Sequence, residues 1–330
     1  MSEAIETTRN LARDRAVSSL AIQIGFRAGW FALTLLGAAF LVEVLLWASP
    51  GDPIDLLPNG EDLRPLLERE WGLDLPLAAR FLRFVGRALQ GDLGTSLTVH
   101  PGTPVRELVV DAWIRSMGLL VPSLLASLAT ALALAWWTAG TPSKLRGLVQ
   151  VVSVAPVFLF AYLLVVGIND ATFALLEGGY IDRPDWFALP DQPSWVRTAL
   201  AIAAMAIGSG CLTELHAGSE NELVQIRTSG FIDAVRARGG PAAPHVLPNL
   251  VAPLATLAAG RVGFLVGGLV VVEKVLLLNG AGALMWDACL KRDYPLAMGL
   301  AIAAAAIVAL ANLVGDLVRF SVDPRLRRRP

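Results

Sequence analysis

The sequence predicts an all-α protein that crosses a membrane six times. Its 330 residues are 55% hydrophobic and only 17% charged, whereas a soluble domain carries about 25% charged residues. Six apolar stretches reach the roughly 20 residues that a helix needs to cross the hydrocarbon core. Each stretch must be a helix, because lipid offers no hydrogen-bond partner to an open backbone. The stretches are about Ala28–Ala48, Trp113–Trp137, Leu148–Ile168, Val196–Leu215, Leu250–Val272 and Leu296–Phe320.

Basic residues indicate which side of the membrane each loop faces. They cluster before the first span, between spans two and three, between spans four and five, and after the sixth span. Loops rich in Lys and Arg face the cytoplasm, and these four segments share one side if the spans alternate. The loop after the third span is acidic and falls on the opposite side. We therefore expect both termini in the cytoplasm, and residues 1–26 lack the features of a cleavable signal peptide.

The spans divide the chain into three parts. Residues 1–26 are expected to form a cytoplasmic lead-in, residues 27–320 the transmembrane domain, and residues 321–330 a basic cytoplasmic tail. Within the transmembrane domain, residues 49–112 form a long external segment and residues 216–249 the main cytoplasmic loop. The chain carries no soluble catalytic domain, so the energy for any transport must come from a separate subunit or an ion gradient.

Three short helices are predicted outside the spans. Apolar residues recur three and four positions apart in Leu63–Trp71 and in Pro76–Leu89, which is typical of a helix with one buried face. A third short helix is predicted around Leu284–Leu290, after the turn signal Asn279-Gly280. The external segments are therefore expected to be ordered parts of the domain.

The chain lacks the residue patterns of catalysis and of cofactor binding. It has no Gly-rich phosphate loop ending in Lys-Ser or Lys-Thr, so it is not expected to bind ATP itself. His100, His216 and His245 are dispersed without metal-ligand spacing, and Cys211 and Cys289 fall near opposite membrane faces. Basic segments are too short to support nucleic-acid binding. We expect no enzymatic activity, no metal site and no cofactor in this chain.

A series of short motifs occurs in a fixed order along the chain. The motifs are Pro50-Gly51-Asp52-Pro53, Gly72-Leu73-Asp74-Leu75-Pro76, Gly91 to Leu97, Pro104-Val105, Gly263 to Glu273, Arg292-Asp293-Tyr294-Pro295, Asn312 with Asp316, and Asp323-Pro324-Arg325. Any one motif is ordinary turn chemistry, but their order and spacing are specific. With them the chain resembles, over roughly Phe26 to Arg327, the membrane-spanning subunit of bacterial ABC importers of the dipeptide, oligopeptide and nickel type.

The resemblance implies a type I ABC importer transmembrane domain in the bacterial cytoplasmic (inner) membrane. It implies a heterodimer with a second permease subunit, two ABC ATPase subunits that carry ATP and magnesium, and an extracytoplasmic substrate-binding protein. It also implies that the substrate is a short peptide, nickel or another small solute.

The cytoplasmic loop contains the element that the resemblance assigns to ATPase docking. Family members carry Glu-Ala-Ala-x3-Gly-x9-Ile-x-Leu-Pro in a helix–turn–helix that sits in a groove of the ATPase. Small residues let such a helix approach closely, and Gly permits a turn where a side chain would clash. The two arginines are expected either to contact acidic groups of the ATPase or to mark topology and contact lipid headgroups. The predicted coupling residues are Asp233, Ala234, Val235, Arg236, Arg238, Gly239, His245, Leu247 and Pro248.

The spacing within this loop departs from the family pattern. Five residues separate Gly239 from His245, where the family usually has nine. The missing four residues correspond to about one helical turn, or roughly 6 Å. Two interpretations stay open: the coupling element is shortened to fit a matching, divergent ATPase, or the coupling is weakened.

Two charges lie inside predicted spans, Glu43 in the first and Arg261 in the fifth. A charge at the centre of a span costs about 2.5–3.5 kcal/mol on insertion scales, so it normally faces protein or water. One hypothesis is that Arg261 lines the translocation path and attracts an acidic or carboxylate-bearing substrate, with Glu43 as its resting partner. The other is that the two charges form an interhelical salt bridge without a role in transport.

Other functions remain open from the sequence. A secondary transporter driven by an ion gradient would use Glu43, Arg261 and Asp316 as coupling charges. A permease relative that has lost its coupling would keep the spans but not the ATPase. A polytopic membrane enzyme or scaffold is the third alternative.

Overall fold

The structure is a computed structural model, and it describes residues 29–49, 51, 53–56, 60–140, 147–148, 151, 155–180, 195–208 and 210–322. The predicted lead-in (1–26) and residues 323–330 of the predicted tail lie outside these residues. Within the described part, β pairing is limited to the isolated bridge between Thr95 and Pro104. The predicted all-α class is confirmed.

Eleven α-helices are given labels within the described residues, and five of them are long and apolar enough to cross a membrane. A sixth candidate span consists of α6 and α7 together, which are bent by 51° at a short break. The helices are α1 (Gly29–Ala48), α2 (Gly60–Trp71), α3 (Leu77–Ala88), α4 (Val105–Thr138), α5 (Val157–Glu177), α6 (Trp195–Ile207), α7 (Cys211–Arg227), α8 (Gly230–Ala237), α9 (Ala243–Val275), α10 (Ala281–Leu290) and α11 (Tyr294–Val322).

The three short helices predicted outside the spans are confirmed as α2, α3 and α10. The boundaries predicted for the third span, Leu148–Ile168, are wrong, because α5 runs from Val157 to Glu177. Pro156 directly precedes this helix. A proline is tolerated at a helix start, where its missing N–H needs no partner, but not inside a straight helix. Hydropathy locates the apolar run, whereas Pro156 decides where the helix begins.

The fourth span is broken near its middle, although Val196–Leu215 reads as one continuous run. Gly210 has φ +70°, a conformation that glycine adopts without strain. A Cβ on Gly208 would lie 2.9 Å from the Cα atom of Val157, so the break also brings this backbone against α5. The second half, α7, continues to Arg227, and α9 begins at Ala243. Most of the residues predicted as the cytoplasmic loop 216–249 are therefore helical extensions of the spans.

Helix α9 is at the centre of the packing and contacts α4, α5, α7, α10 and α11. Small residues let its neighbours approach closely, as is common between membrane helices. A Cβ on Gly315 of α11 would lie 2.7 Å from the Cβ of Ala259, and a Cβ on Gly282 of α10 would lie 2.5 Å from the backbone nitrogen of Val270. A second, smaller apolar cluster lies around α8, and it contains Ala135, Leu223, Ile232, Val246, Leu250 and Leu254.

Candidate functional site

The predicted coupling residues gather on α8 and on the first turns of α9, two helices joined by a tight turn. Their side chains face outward from the chain, with Val235 half-buried. The exposed members are Asp233, Ala234, Arg236, Arg238, Gly239, His245, Leu247 and Pro248. A contiguous set of exposed residues at one end of the molecule is available to a partner protein.

Gly239 ends α8 in the way that the sequence predicted. Its φ is +75°, and its N–H donates to the carbonyl oxygen of Arg236 at 2.9 Å. The N–H of Gly240 donates to the carbonyl oxygen of Val235 at 3.1 Å. These two bonds form a Schellman motif, which satisfies carbonyl groups left open at the helix end. The predicted turn at Gly239 is therefore confirmed, and it aims the chain directly into α9.

The shortened spacing also has a structural basis. Helix α9 begins at Ala243, only four residues after Gly239, and carries Pro244 in its first turn. Pro244 lies where a missing N–H costs nothing, so it helps to start α9. The two helices are therefore joined directly by this short turn.

Ile232 anchors α8 to the spans beneath it. Its side chain is fully buried and packs in the second apolar cluster, against residues of α4, α7 and α9. The flanking Phe231 and Leu247 remain 46% and 48% exposed. One close-packed contact therefore joins α8 to three other helices.

Arg236 is partly occupied by contacts within the chain. Its Nη1 lies 3.6 Å from Oδ1 of Asp233 and donates to the carbonyl oxygen of Arg227 at 3.4 Å. The guanidinium carbon of Arg227 lies 4.4 Å from the ring centroid of Trp136, a cation–π contact to the end of α4. These contacts tie α8 to α4 and α7 on its charged side.

The expected pairing of Glu43 with Arg261 is wrong, because each residue pairs with a different partner. Arg261 forms an ion pair with Glu214 of α7, and its guanidinium lies 5.1 Å from the ring centroid of Phe264. Glu43 accepts a hydrogen bond from Nε of Arg80 on α3 at 2.6 Å. A role for either residue in the translocation path stays a prediction.

The Glu43–Arg80 pair attaches α3 to the first span. Glu43 is 2% exposed, and the guanidinium of Arg80 also lies 5.2 Å from the ring centroid of Tyr294. The rings of Phe40 and Phe81 meet edge to face at 5.2 Å. The charge inside the first span is thus neutralised by an arginine of α3.

Two of the motifs that are far apart in the sequence meet on the face that is predicted to be external. The buried carboxylate of Asp293 accepts a hydrogen bond from the hydroxyl of Ser96 at 2.5 Å. It also accepts from the backbone N–H groups of Leu97, Thr98 and Val99 at 3.0–3.1 Å. Asp293 therefore holds the loop that precedes α4 against the start of α11.

Two further contacts close the external face. The guanidinium of Arg292 packs directly over Gly51, which has φ +84° and leaves no room for a Cβ. Deeper in the same face, the buried carboxylate of Glu273 accepts from the hydroxyl of Ser116 at 2.5 Å and from the N–H of Ala283 at 2.9 Å. These bonds join α4, α9 and α10 at the end of the domain that is predicted to be external.

Sequence reasoning missed Glu214, Arg80 and Asp293 as parts of these sites. Glu214 lies inside the predicted fourth span, so the criterion that selected Glu43 and Arg261 would also have selected it. Asp293 belongs to a recognised motif, but its contact with Ser96 spans 197 residues of sequence. The partner of such a residue depends on the packing of the whole domain.

Five long apolar helices, and a bent pair that can form a sixth span, define a multi-pass membrane domain. Residues 132–328 match the family described as binding-protein-dependent transport system inner membrane component. The match covers more than half of the chain, and the chain belongs to this family.

Full-length relatives agree with this assignment. The chain is 27% identical over 305 residues to the oligopeptide transport system permease protein AppB of Bacillus subtilis, covering 88% of this chain and 95% of the relative. It is 28% identical over 306 residues to the glutathione transport system permease protein GsiC of Salmonella paratyphi A, covering 89% and 95%. The resemblance to ABC permease subunits is confirmed, as is the multi-pass membrane character.

Proposed function

We propose that this chain is one permease subunit of an ATP-driven type I importer that carries short peptides or a similar small solute. Its relatives are named as permeases for oligopeptides and for glutathione. A second permease subunit would complete the translocation path as a heterodimer, and a substrate-binding protein would deliver solute to the external face. The complex lies in the bacterial cytoplasmic membrane, with α8 and both termini of this chain in the cytoplasm.

ATP hydrolysis belongs to two separate ABC ATPase subunits, which hold ATP and magnesium. In this proposal α8 sits in a groove of one ATPase, and closure of the ATPases displaces it. Ile232 transmits the displacement to α4, α7 and α9, and the spans then rock about the path. The short turn between Gly239 and Ala243 supports direct transmission to α9, so we favour a matched, divergent ATPase over weakened coupling.

The observation that carries this proposal is the contrast within α8. Asp233, Ala234 and Arg236 are exposed, whereas Ile232 of the same helix is fully buried. The buried Ile232 attaches the helix to the spans, and the small and charged residues on its other side stay available to a partner protein. An exposed Ala in particular leaves room for a partner surface to approach the backbone.

The test is co-purification of the ATPase subunits with the tagged chain from its native membrane. Ala234→Trp places a large ring on the exposed face of α8 without straining the helix, so we expect it to abolish recovery of the ATPase. Gly239→Trp should do the same, although it also strains the turn. Ala79→Trp is the matched control, because Ala79 is an exposed helical alanine on α3 of the external segment.

Each result has a distinct meaning. Loss of the ATPase with Ala234→Trp and its retention with Ala79→Trp support the proposal. A stable chain that recovers no ATPase in the wild type contradicts it and favours a carrier driven by an ion gradient. Uptake that stops with a protonophore while ATP is held constant would indicate the same carrier.

A further inference from the structure

The ion pair between Arg261 and Glu214 lies deep within the membrane-spanning part of the chain. Arg261 is 14 residues from the end of α9 at Val275, which is about 21 Å along a helix roughly 50 Å long. Glu214 occupies the first turn of α7, directly after the break in the fourth span. An acidic side chain is stabilised at a helix N-terminus by the helix dipole. Arg261 therefore lies near the middle of α9, and the fold pairs it with Glu214 at the break between α6 and α7.

The pair is accessible from outside the chain. The side chain of Glu214 is 57% exposed and that of Arg261 is 22% exposed. Among the residues that the structure describes, the guanidinium contacts one carboxylate, that of Glu214, and one ring, that of Phe264. An arginine offers five N–H donors, so most of them are available to a second acceptor.

The face that carries Glu214 cannot be turned to lipid. Glu214, Ala217, Asn221 and Gln225 are all exposed on α7 at spacings of three and four residues, which places them on one side of the helix. Polar and charged side chains within membrane helices face the protein interior or a water-filled cavity. This side of α7 therefore faces the inside of the assembled transporter.

A cavity lies beside the polar side of α7, toward its C-terminal end. Gln225 of α7 and Asn249 and Thr256 of α9 line this cavity of about 780 Å³, together with apolar side chains that include Phe231 and Leu257. Beyond it toward Arg261, Gly260 is exposed on the same side of α9, and a Cβ added to it would meet nothing within 4 Å. The cavity does not include the ion pair, and Gly260 leaves open space on the side of α9 between them.

We propose that Glu214 and Arg261 form a subsite that receives the two charged ends of a zwitterionic solute, such as a peptide with free α-ammonium and α-carboxylate groups. This inference rests on the proposed transport function and names its substrate class more narrowly. The solute's carboxylate binds the guanidinium of Arg261, and its ammonium binds the carboxylate of Glu214.

Charge balance gives the subsite its selectivity. Separating the pair leaves the largely buried Arg261 guanidinium without its counter-ion, which is costly. A zwitterion replaces both partners at once, so every charge stays paired during the exchange. A solute with one charge leaves either Glu214 or Arg261 unpaired, and a solute without charge leaves the resident pair closed.

The test measures ATP-dependent uptake by the full complex, with its binding protein, in proteoliposomes. The probes are dialanine, N-acetyl-dialanine, dialanine amide and N-acetyl-dialanine amide. The variants are Glu214→Gln, Arg261→Gln and the double variant, which leaves no unpaired charge in the fold. The ratio of variant to wild-type uptake is taken for each probe, because the contribution of the binding protein cancels in that ratio.

We expect the double variant to lower dialanine uptake by about tenfold or more, the scale of a hydrogen bond to a charged group. Uptake of the doubly blocked peptide should not change. Arg261→Gln should lower uptake of dialanine relative to dialanine amide, because the Glu214 carboxylate can then pair with an ammonium group alone. Glu214→Gln should lower uptake of dialanine relative to N-acetyl-dialanine for the converse reason. Asp111→Asn with Arg115→Gln removes an exposed pair on α4, joined at 3.1 Å, and should leave all four ratios at one.

Thermal stability of the complex without binding protein gives a readout that does not depend on delivery. Dialanine should raise the Tm of the wild type but not of the double variant, and the doubly blocked peptide should raise neither. Equal loss of uptake for all probes would overturn the subsite and assign the pair to contact with the second permease subunit. Unchanged uptake of every probe would overturn it as well. Failure of the proposed function is distinguishable, because the wild-type complex would then show no ATP-dependent uptake.

Discussion

Asp293 should control the local stability of the external loop, and Asp293→Asn tests this. In the native protein its Oδ2 accepts four hydrogen bonds, from the Ser96 hydroxyl and from three consecutive backbone N–H groups at Leu97, Thr98 and Val99. Its Oδ1 accepts from the N–H of Leu296 at 3.3 Å, in the first turn of α11. Hydrogen bonds to an ionised acceptor are about twice as strong as those between neutral groups.

The cost of the change follows from these contacts. An Asn side chain can place its oxygen toward the loop, but the four bonds there lose the assistance of the charge, at about 0.5–1 kcal/mol each. Its NH₂ group then faces the N–H of Leu296 and loses that capping bond, at about 1 kcal/mol. Part of the loss is recovered by water, since Thr98 and Val99 are only partly buried. We therefore expect a local destabilisation of about 2–4 kcal/mol, which corresponds to roughly 30- to 700-fold.

Hydrogen–deuterium exchange of the purified protein measures this directly. The amides of residues 97–99 should exchange faster by that factor in Asp293→Asn, while those of α5 stay unchanged. Asp92→Asn is the control in the same loop. Asp92 also accepts a backbone hydrogen bond, from Gly94 at 2.8 Å, and pairs with Arg87, but its side chain is 53% exposed. Solvent screens that pair, so residues 97–99 should keep their wild-type protection. Equal protection in Asp293→Asn and the wild type would refute the reasoning.

Two further substitutions test the anchoring of α8 and the packing of α10. Ile232→Ala removes a fully buried side chain and should destabilise the attachment of α8 by about 2–5 kcal/mol. Trypsin should then cleave within α8 faster than in the wild type, whereas Val235→Ala, at a half-buried position, should have a smaller effect. Cleavage of Ile232→Ala at the wild-type rate would contradict the role of Ile232 as an anchor. Gly282→Ala would place a Cβ 2.5 Å from the backbone nitrogen of Val270 and should lower the Tm of the purified chain, since neither backbone can yield. Gly86→Ala is the control: a Cβ there meets nothing within 4 Å, so the change should raise the Tm slightly through helix propensity. Similar Tm shifts for both glycine variants would contradict the close packing of α10 against α9 at Gly282.

Much of the architecture could be predicted because its causes are local. Apolar runs of sufficient length located the spans, and an apolar spacing of three and four residues located α2 and α3. Gly239 was predicted to permit a turn, and it adopts φ +75° in a helix cap. The predicted bounds of the third span and the continuity of the fourth were wrong for reasons that are also local. Hydropathy does not show that α5 starts after Pro156, or that the chain bends at Gly208 and Gly210.

The candidate sites were only partly predictable. The sequence identified Glu43 and Arg261 as charges in apolar surroundings, but it assigned them to each other. In the structure Glu43 pairs with Arg80 and Arg261 pairs with Glu214. The choice depends on which helices are neighbours, and a position within a span does not reveal its neighbours.

The sequence by itself determined that this chain is a helical membrane protein of the importer permease class, because hydropathy, turn chemistry and motif order are properties of contiguous residues. Only the tertiary structure decided which partner neutralises each charge, which residue anchors α8, and that Asp293 joins two distant motifs. Those outcomes depend on contacts between residues far apart in the chain, such as the 197 positions between Ser96 and Asp293. Such contacts exist only once the helices have packed.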